Sequence, residues 1–127
     1  MQVTGFSHYN LRAQKALLDQ LCQFYVHVVG LRIGARPPFE VNGYWLYAAD
    51  RAVLHLTEAR ASEQTPAHVA STFAHAAFDC RDLAAAEMRL QRLGIVYRKT
   101  CVPGTGEPQL FFQDPAGNGV ELIFDRG

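Results

Sequence analysis

The sequence predicts an α+β chain of two βαβββ modules, and three observations carry that prediction. A chain of 127 residues, 49% apolar and 19% charged, is long enough for one well-buried core and too short for two ordinary domains. Phe6-Ser7-His8 recurs 67 residues later as Phe73-Ala74-His75, and each copy opens a strand-like segment followed by a helical pattern ending in glycine. An isolated module of about 60 residues would leave one face of its sheet bare. Two modules, or two chains, therefore have to close over a common interior, and 1–127 is read as a single domain.

The first module, residues 1–58, begins with a strand from Phe6. In the helix that follows, Leu17, Leu21, Phe24, Tyr25 and Val28 fall on one face, and Gly30 stands where a helix ends. Residues 31–36 read as a second strand, Pro37-Pro38 as a bend and residues 44–47 as an aromatic strand. Asp50-Arg51 marks a tight turn into the last strand, residues 52–57. Residues 59–70, with Ser62, Gln64, Thr65 and Pro66, are the linker. The second module, residues 71–127, repeats the order. Asp82 is placed to cap a helix carrying Leu83, Ala86, Leu90 and Leu93, and Gly94 follows it. Residues 95–100, the bend at Pro103, the aromatic strand 109–112, the turn Asp114-Pro115-Ala116-Gly117 and a last strand, 119–124, complete it.

Charge narrows the partners. Twelve Lys and Arg balance twelve Asp and Glu, so the basic excess that nucleic acid or anionic lipid requires is missing. No apolar run is long enough for a signal peptide or a membrane span, and Cys22, Cys80 and Cys101 are odd in number and widely spaced. They read as reduced thiols of a cytoplasmic protein, with burial the commoner fate of such a residue than catalysis. The partner expected is a small molecule, and the open sheet edges of two such modules add a second copy of the chain, a homodimer.

Alternation along the strands selects the residues that face the interior. His8 shares a face with Phe6, Asn10 and Arg12, and His75 with Phe73, Ala77 and Asp79. His55 lies opposite Leu54 and Leu56, and Glu121 opposite Val120, Leu122 and Phe124. His8 corresponds to His75, and His55 to Glu121, 66 residues on. Imidazole and carboxylate in repeat-related positions form a plausible ligand set for one divalent ion: Zn, Ni, Fe(II), Mn or Co. Glu121, inside an apolar strand, needs a partner in any case. Asn10 and Arg12 are candidates to orient a substrate carboxylate or carbonyl, a salt bridge from Arg12 to Asp79 being the alternative. Trp45, Tyr47 and Phe112 would line the apolar part of the pocket, with core packing as the competing assignment. His27 and His68 read as exposed.

The chain resembles the vicinal oxygen chelate superfamily, the glyoxalase I, bleomycin resistance and extradiol dioxygenase group. The resemblance rests on Phe6-Ser-His-Tyr-Asn-Leu-Arg12, Phe24-Tyr25 with Val29-Gly-Leu31, Val53-Leu-His-Leu-Thr57 and Phe73-Ala-His-Ala-Ala-Phe78. The most specific match is Asp114-Pro-Ala-Gly-Asn-Gly-Val-Glu-Leu122. It implies that each module curls into half of an open, barrel-like cleft with a metal ion inside. His8, His75 and Glu121 match ligand positions of the family, while His55 falls where glyoxalase I carries Glu and a related epimerase Gln. The implied activity is a metal-dependent lyase or isomerase of glyoxalase type, acting on a substrate chelated through adjacent oxygens. Glu121 would shuttle the proton there, and His55 would serve as base if displaced from the ion. The runner-up is an Fe(II) extradiol-type dioxygenase, with His55 outside the ligand set, and the third reading is a small-molecule binding protein without catalysis.

Overall fold

The computed structural model describes residues 1–64 and 71–126. The chain divides into two compact units, Met1–Pro66 and Ala67–Gly127. The first contains β1 (Tyr9–Ala13), α1 (Lys15–Phe24), a π-helical turn (Tyr25–Val29), β2 (Arg32–Gly34), β3 (Gly43–Ala48) and β4 (Arg51–Glu58). The second contains β5 (His75–Cys80), α2 (Leu83–Arg92), β6 (Arg98–Cys101), β7 (Pro108–Gln113) and β8 (Gly119–Phe124). Each unit is therefore βαβββ, and the protein is α+β.

The repeat extends to strand order. The first sheet runs β1-β4-β3-β2 and the second β5-β8-β7-β6. In each, the first strand lies parallel to the last, Asn10 opposite His55 and Ala77 opposite Glu121, and the other pairs are antiparallel. The first and last strands of a unit are thus neighbours, although the whole unit separates them in sequence.

One face of each sheet is apolar. In the first unit Leu46, Leu54 and Leu56 are fully buried, together with Leu18, Leu21, Cys22, Tyr25 and Val28 of the helix. Each fully buried Leu contributes on the order of 2 kcal/mol. Leu17, expected on that stripe, is half-buried, because the face turned to the sheet runs through Leu18 instead. The helix ends by widening into the π turn, where both Gly30 and Leu31 donate to the Tyr25 carbonyl, and Gly30 takes φ 93°. In the second unit Leu110, Phe112, Val120, Leu122 and Phe124 are buried, and Leu90 is the buried residue of α2. Asp82 caps α2, accepting from Ala85 N at 3.0 Å. Leu93, expected on the apolar stripe, is exposed, because α2 stops at Arg92. Among the described residues no helix is long and apolar enough to cross a membrane.

Candidate functional site

The polar side chains buried among the described residues are His55, Asp114 and Glu121. A buried polar group has to be partnered, so the neighbours of these three define the chemistry of each unit.

Glu121 is 6% exposed at the centre of β8. Alternation turns Val120 and Leu122 to the apolar side and Glu121 to the other, beside Phe111 of β7. His75 Nε2 stands 2.9 Å from Glu121 Oε1, and Gln109 Nε2 donates to Oε2 at 3.1 Å. Thr100 Oγ1 in turn donates to Gln109 Oε1 at 2.9 Å, which directs the amide of Gln109 toward the carboxylate. The His75 ring meets Phe111 edge to face at 5.5 Å, and the Arg98 guanidinium lies over the same Phe111 ring, 4.8 Å from its centroid. This corrects one sequence expectation. Phe112 is buried with the apolar set opposite Val120, and its neighbour Phe111 is the aromatic on the Glu121 side, because a period of two places adjacent residues on opposite faces.

In the first unit three rings from three neighbouring chain segments stack. His55 lies parallel to Trp45, with centroids 4.0 Å apart and planes 10° apart, and parallel to His8 on its other face at 3.7 Å and 16°. Trp45 and His55 are register partners across β3 and β4. His55 is 9% exposed. Burial, and next the adjacent His8, hold its imidazole below the usual histidine range, so it is neutral near pH 7. The exposed His8 precedes β1, and its Nδ1 is hydrogen-bonded to Ser7 Oγ at 2.9 Å. A cleft of about 420 Å³ opens on this stack, lined by Ser7, His8, Phe39, Trp45, Arg51, Ala52 and His55.

The remaining expected substrate contacts are engaged elsewhere. Arg12 forms a two-pronged pair with Glu63, at 2.8 and 2.5 Å, in place of one with Asp79. That pair pulls the Glu63 carboxyl down to about 2. Asn10 donates to Thr57 Oγ1 at 2.8 Å. Tyr47 lies across Gly34, where a Cβ would strike its ring, and its hydroxyl donates to the Ala35 carbonyl. A register shift between Leu46 and Tyr47 separates it from Trp45. His27 is exposed and bonded to Gln23, and His68 lies outside the described residues.

Among the described residues no group of three or more His, Cys, Asp or Glu side chains gathers to hold an ion. The four nominated ligands stand as two pairs, His8 with His55 in one unit and His75 with Glu121 in the other. The second pair is in direct contact, the His75–Glu121 separation of 2.9 Å being that of a hydrogen bond or ion pair. Gln109 was legible only indirectly: a carboxylate inside an apolar strand demands a donor on the neighbouring strand, and Gln109 has the parity to supply it. Arg51 and Phe39 carry no such signal, since a turn residue and a loop residue have no periodicity that assigns them a face.

The family model described as Glyoxalase/Bleomycin resistance protein/Dioxygenase superfamily matches residues 5–122. A protein of Arabidopsis thaliana named Glyoxylase I 4 is 30% identical over 96% of this chain and 71% of its own length. The crystal structure of lactoylglutathione lyase from Agrobacterium tumefaciens is 25% identical with a TM-score of 0.67, covering 98% of this chain and 96% of that one. A glyoxylase/bleomycin resistance protein/dioxygenase domain from Frankia sp. EAN1pec has the same fold, with a TM-score of 0.75 at 18% identity, covering 98% of this chain and 100% of that one.

Proposed function

Since the chain belongs to the glyoxalase/bleomycin resistance/dioxygenase superfamily, we propose that it is a metal-dependent lyase or isomerase of glyoxalase type, acting on a small substrate that offers two adjacent oxygens. The observation that carries this reading is the His75–Glu121 pair, a buried carboxylate and an imidazole in direct contact, the two donor types such an ion takes. The donors are His75 and Glu121 of a second unit with His8, and His55 as the fourth candidate, from a first unit. The two units come from one chain or from two copies in a homodimer.

Imidazole and carboxylate suit Zn, Ni, Fe(II), Mn or Co, and such an ion, when bound, supplies a Lewis acid for adjacent substrate oxygens. The protein's own residues do the rest. Gln109 ties down one oxygen of Glu121 and leaves the other beside His75. Glu121 is the carboxylate placed to accept the substrate proton, its two oxygens oriented by Gln109 and His75. Neutral His55 is the other group able to accept one. Trp45 and Phe39 wall the substrate cleft, and Arg51 at its rim spends one donor on the Phe6 carbonyl and offers the others to a substrate carboxylate.

Metal content of protein purified without a polyhistidine tag tests this reading, together with turnover of a hemithioacetal formed from an α-ketoaldehyde and a thiol. The expected result is about one divalent ion per pair of units and isomerisation without oxygen uptake, both abolished in Glu121→Gln. A second reading follows from the stacking of His55. A set reduced to His8, His75 and Glu121 is two histidines and one carboxylate, which suits an Fe(II) dioxygenase. Bound iron with oxygen uptake on a catechol would establish it instead.

A further inference from the structure

Resting on that metal reading, we propose that His55 is not a donor to the ion but a positioning residue, an aromatic spacer clamped between His8 and Trp45. It sets the plane of the His8 ring and leaves His8 the single donor of the first unit.

An imidazole holds its lone pair in the plane of its ring, so two imidazoles that share an ion must aim both planes at one point. His8 and His55 do the reverse. Their rings lie face to face with centroids 3.7 Å apart and planes 16° from parallel, so their lone pairs run side by side. An ion halfway between would lie about 1.8 Å out of each ring plane, nearly the whole metal–nitrogen bond length of about 2.0–2.1 Å. At most one of the two rings can donate from this arrangement.

The burden of turning falls unequally on them. His55 has an aromatic face against each of its own: Trp45 covers the side away from His8 at 4.0 Å and 10°. The β3–β4 register holds Trp45 opposite His55. His55 is also buried. Turning it edge-on would break both stacks in a space the two neighbouring rings already fill. His8 is exposed, lies ahead of β1 and has one covered face. With Nδ1 taken up by Ser7, its Nε2 is the atom left to an ion. The stack therefore orients His8 as a hydrogen-bonding partner orients other ligating histidines, by fixing the ring before the ion arrives.

Trp45 is the only tryptophan of the chain, so its emission reports the stack directly. Protein stripped with a chelator is titrated calorimetrically with Zn²⁺ and with Mn²⁺. His55→Phe keeps the spacer and removes the donor, and its affinity is expected within about threefold of the unsubstituted protein. His55→Ala removes the spacer, and is expected to weaken binding about 10–100-fold, the range for losing a ligand's supporting partner, with a change in Trp45 emission that Phe reverses. Glu121→Gln and His8→Ala are expected to lose at least a hundredfold. Affinity lost in His55→Phe to the same extent as in Glu121→Gln overturns the proposal. X-ray absorption of the zinc-loaded, unsubstituted protein gives a check independent of any variant: two imidazoles per ion are expected, and three would overturn it. If the unsubstituted protein binds neither ion, the metal reading fails and this inference with it. A failure confined to His55→Phe, or to the imidazole count, removes this inference alone.

Discussion

Glu121 shows what one residue costs and what it requires. Its carboxylate is buried within an otherwise apolar strand, on the face opposite Val120, Leu122 and Phe124, where an unpartnered charge would be expensive, and Gln109 is the neutral donor that holds it. Replacing Gln109 by Leu should lower stability by about 1–2 kcal/mol and weaken divalent-ion binding about tenfold. Thermal melts and calorimetric titration check the two effects separately. The three thiols make a second, pH-dependent test. Burial, and secondarily Asp79, push Cys80 up to about 11, and burial raises the buried Cys22, whereas Cys101 is exposed. A raised thiol holds less thiolate at a given pH. Iodoacetamide at pH 8 should therefore modify Cys101 first and leave Cys22 and Cys80 until the chain unfolds, as read by mass spectrometry. Alternation along β4 and β8 was enough to place His55 and Glu121 on the face opposite the buried apolar set. It could not disclose the His8–His55–Trp45 stack or the Arg12–Glu63 pair, because period and parity assign a side of the sheet and not a neighbour on it.

At the scale of elements, the turn before β8 explains why its sequence is so distinctive. The buried Asp114 carboxylate accepts from Ala116 N, Asn118 N and Asn118 Nδ2, at 2.9, 2.9 and 3.0 Å, while Gly117 takes φ 87°. Directly beyond, a Cβ at Gly119 would be driven into the Ala74 carbonyl oxygen and against His75, so only glycine lets β8 approach β5 closely enough. The turn and the glycine together set the height of Glu121 relative to His75. Asp114→Ala removes a charge-assisted acceptor of three bonds and should cost about 2–3 kcal/mol. Denaturant melts measure that cost, and metal affinity should fall with it. The βαβββ order of each half was legible because the repeat showed the same signals twice. The parallel β1–β4 and β5–β8 pairings were not legible, since pairing between the ends of a unit leaves no local mark. The π turn after α1 and the shift at Leu46 were also hidden; each inserts a backbone irregularity that packing, rather than residue type, decides.

For the molecule as a whole, β1 and β2 are the edge strands of the first sheet, and β5 and β6 those of the second. Such edges invite a further strand or a covering surface, and Phe6 and Phe73 stand exposed just ahead of the edge strands β1 and β5. Light scattering at micromolar concentration should give twice the 14.1 kDa chain mass; a monomer would refute the homodimer. The parallel pairings also have a consequence for how the protein is made. Asn10 reaches its partner Thr57 across 47 residues, so the helix and the hairpin of a unit can form from near neighbours, while the first strand waits for the last. His8 meets His55, and His75 meets Glu121, only at that closing step. In refolding, recovery of helical signal should run ahead of divalent-ion uptake, and stopped-flow dichroism beside a metal-sensitive dye would resolve the interval. On the proposed metal reading, the nascent chain would hold no ion until the last strand of a unit is in place.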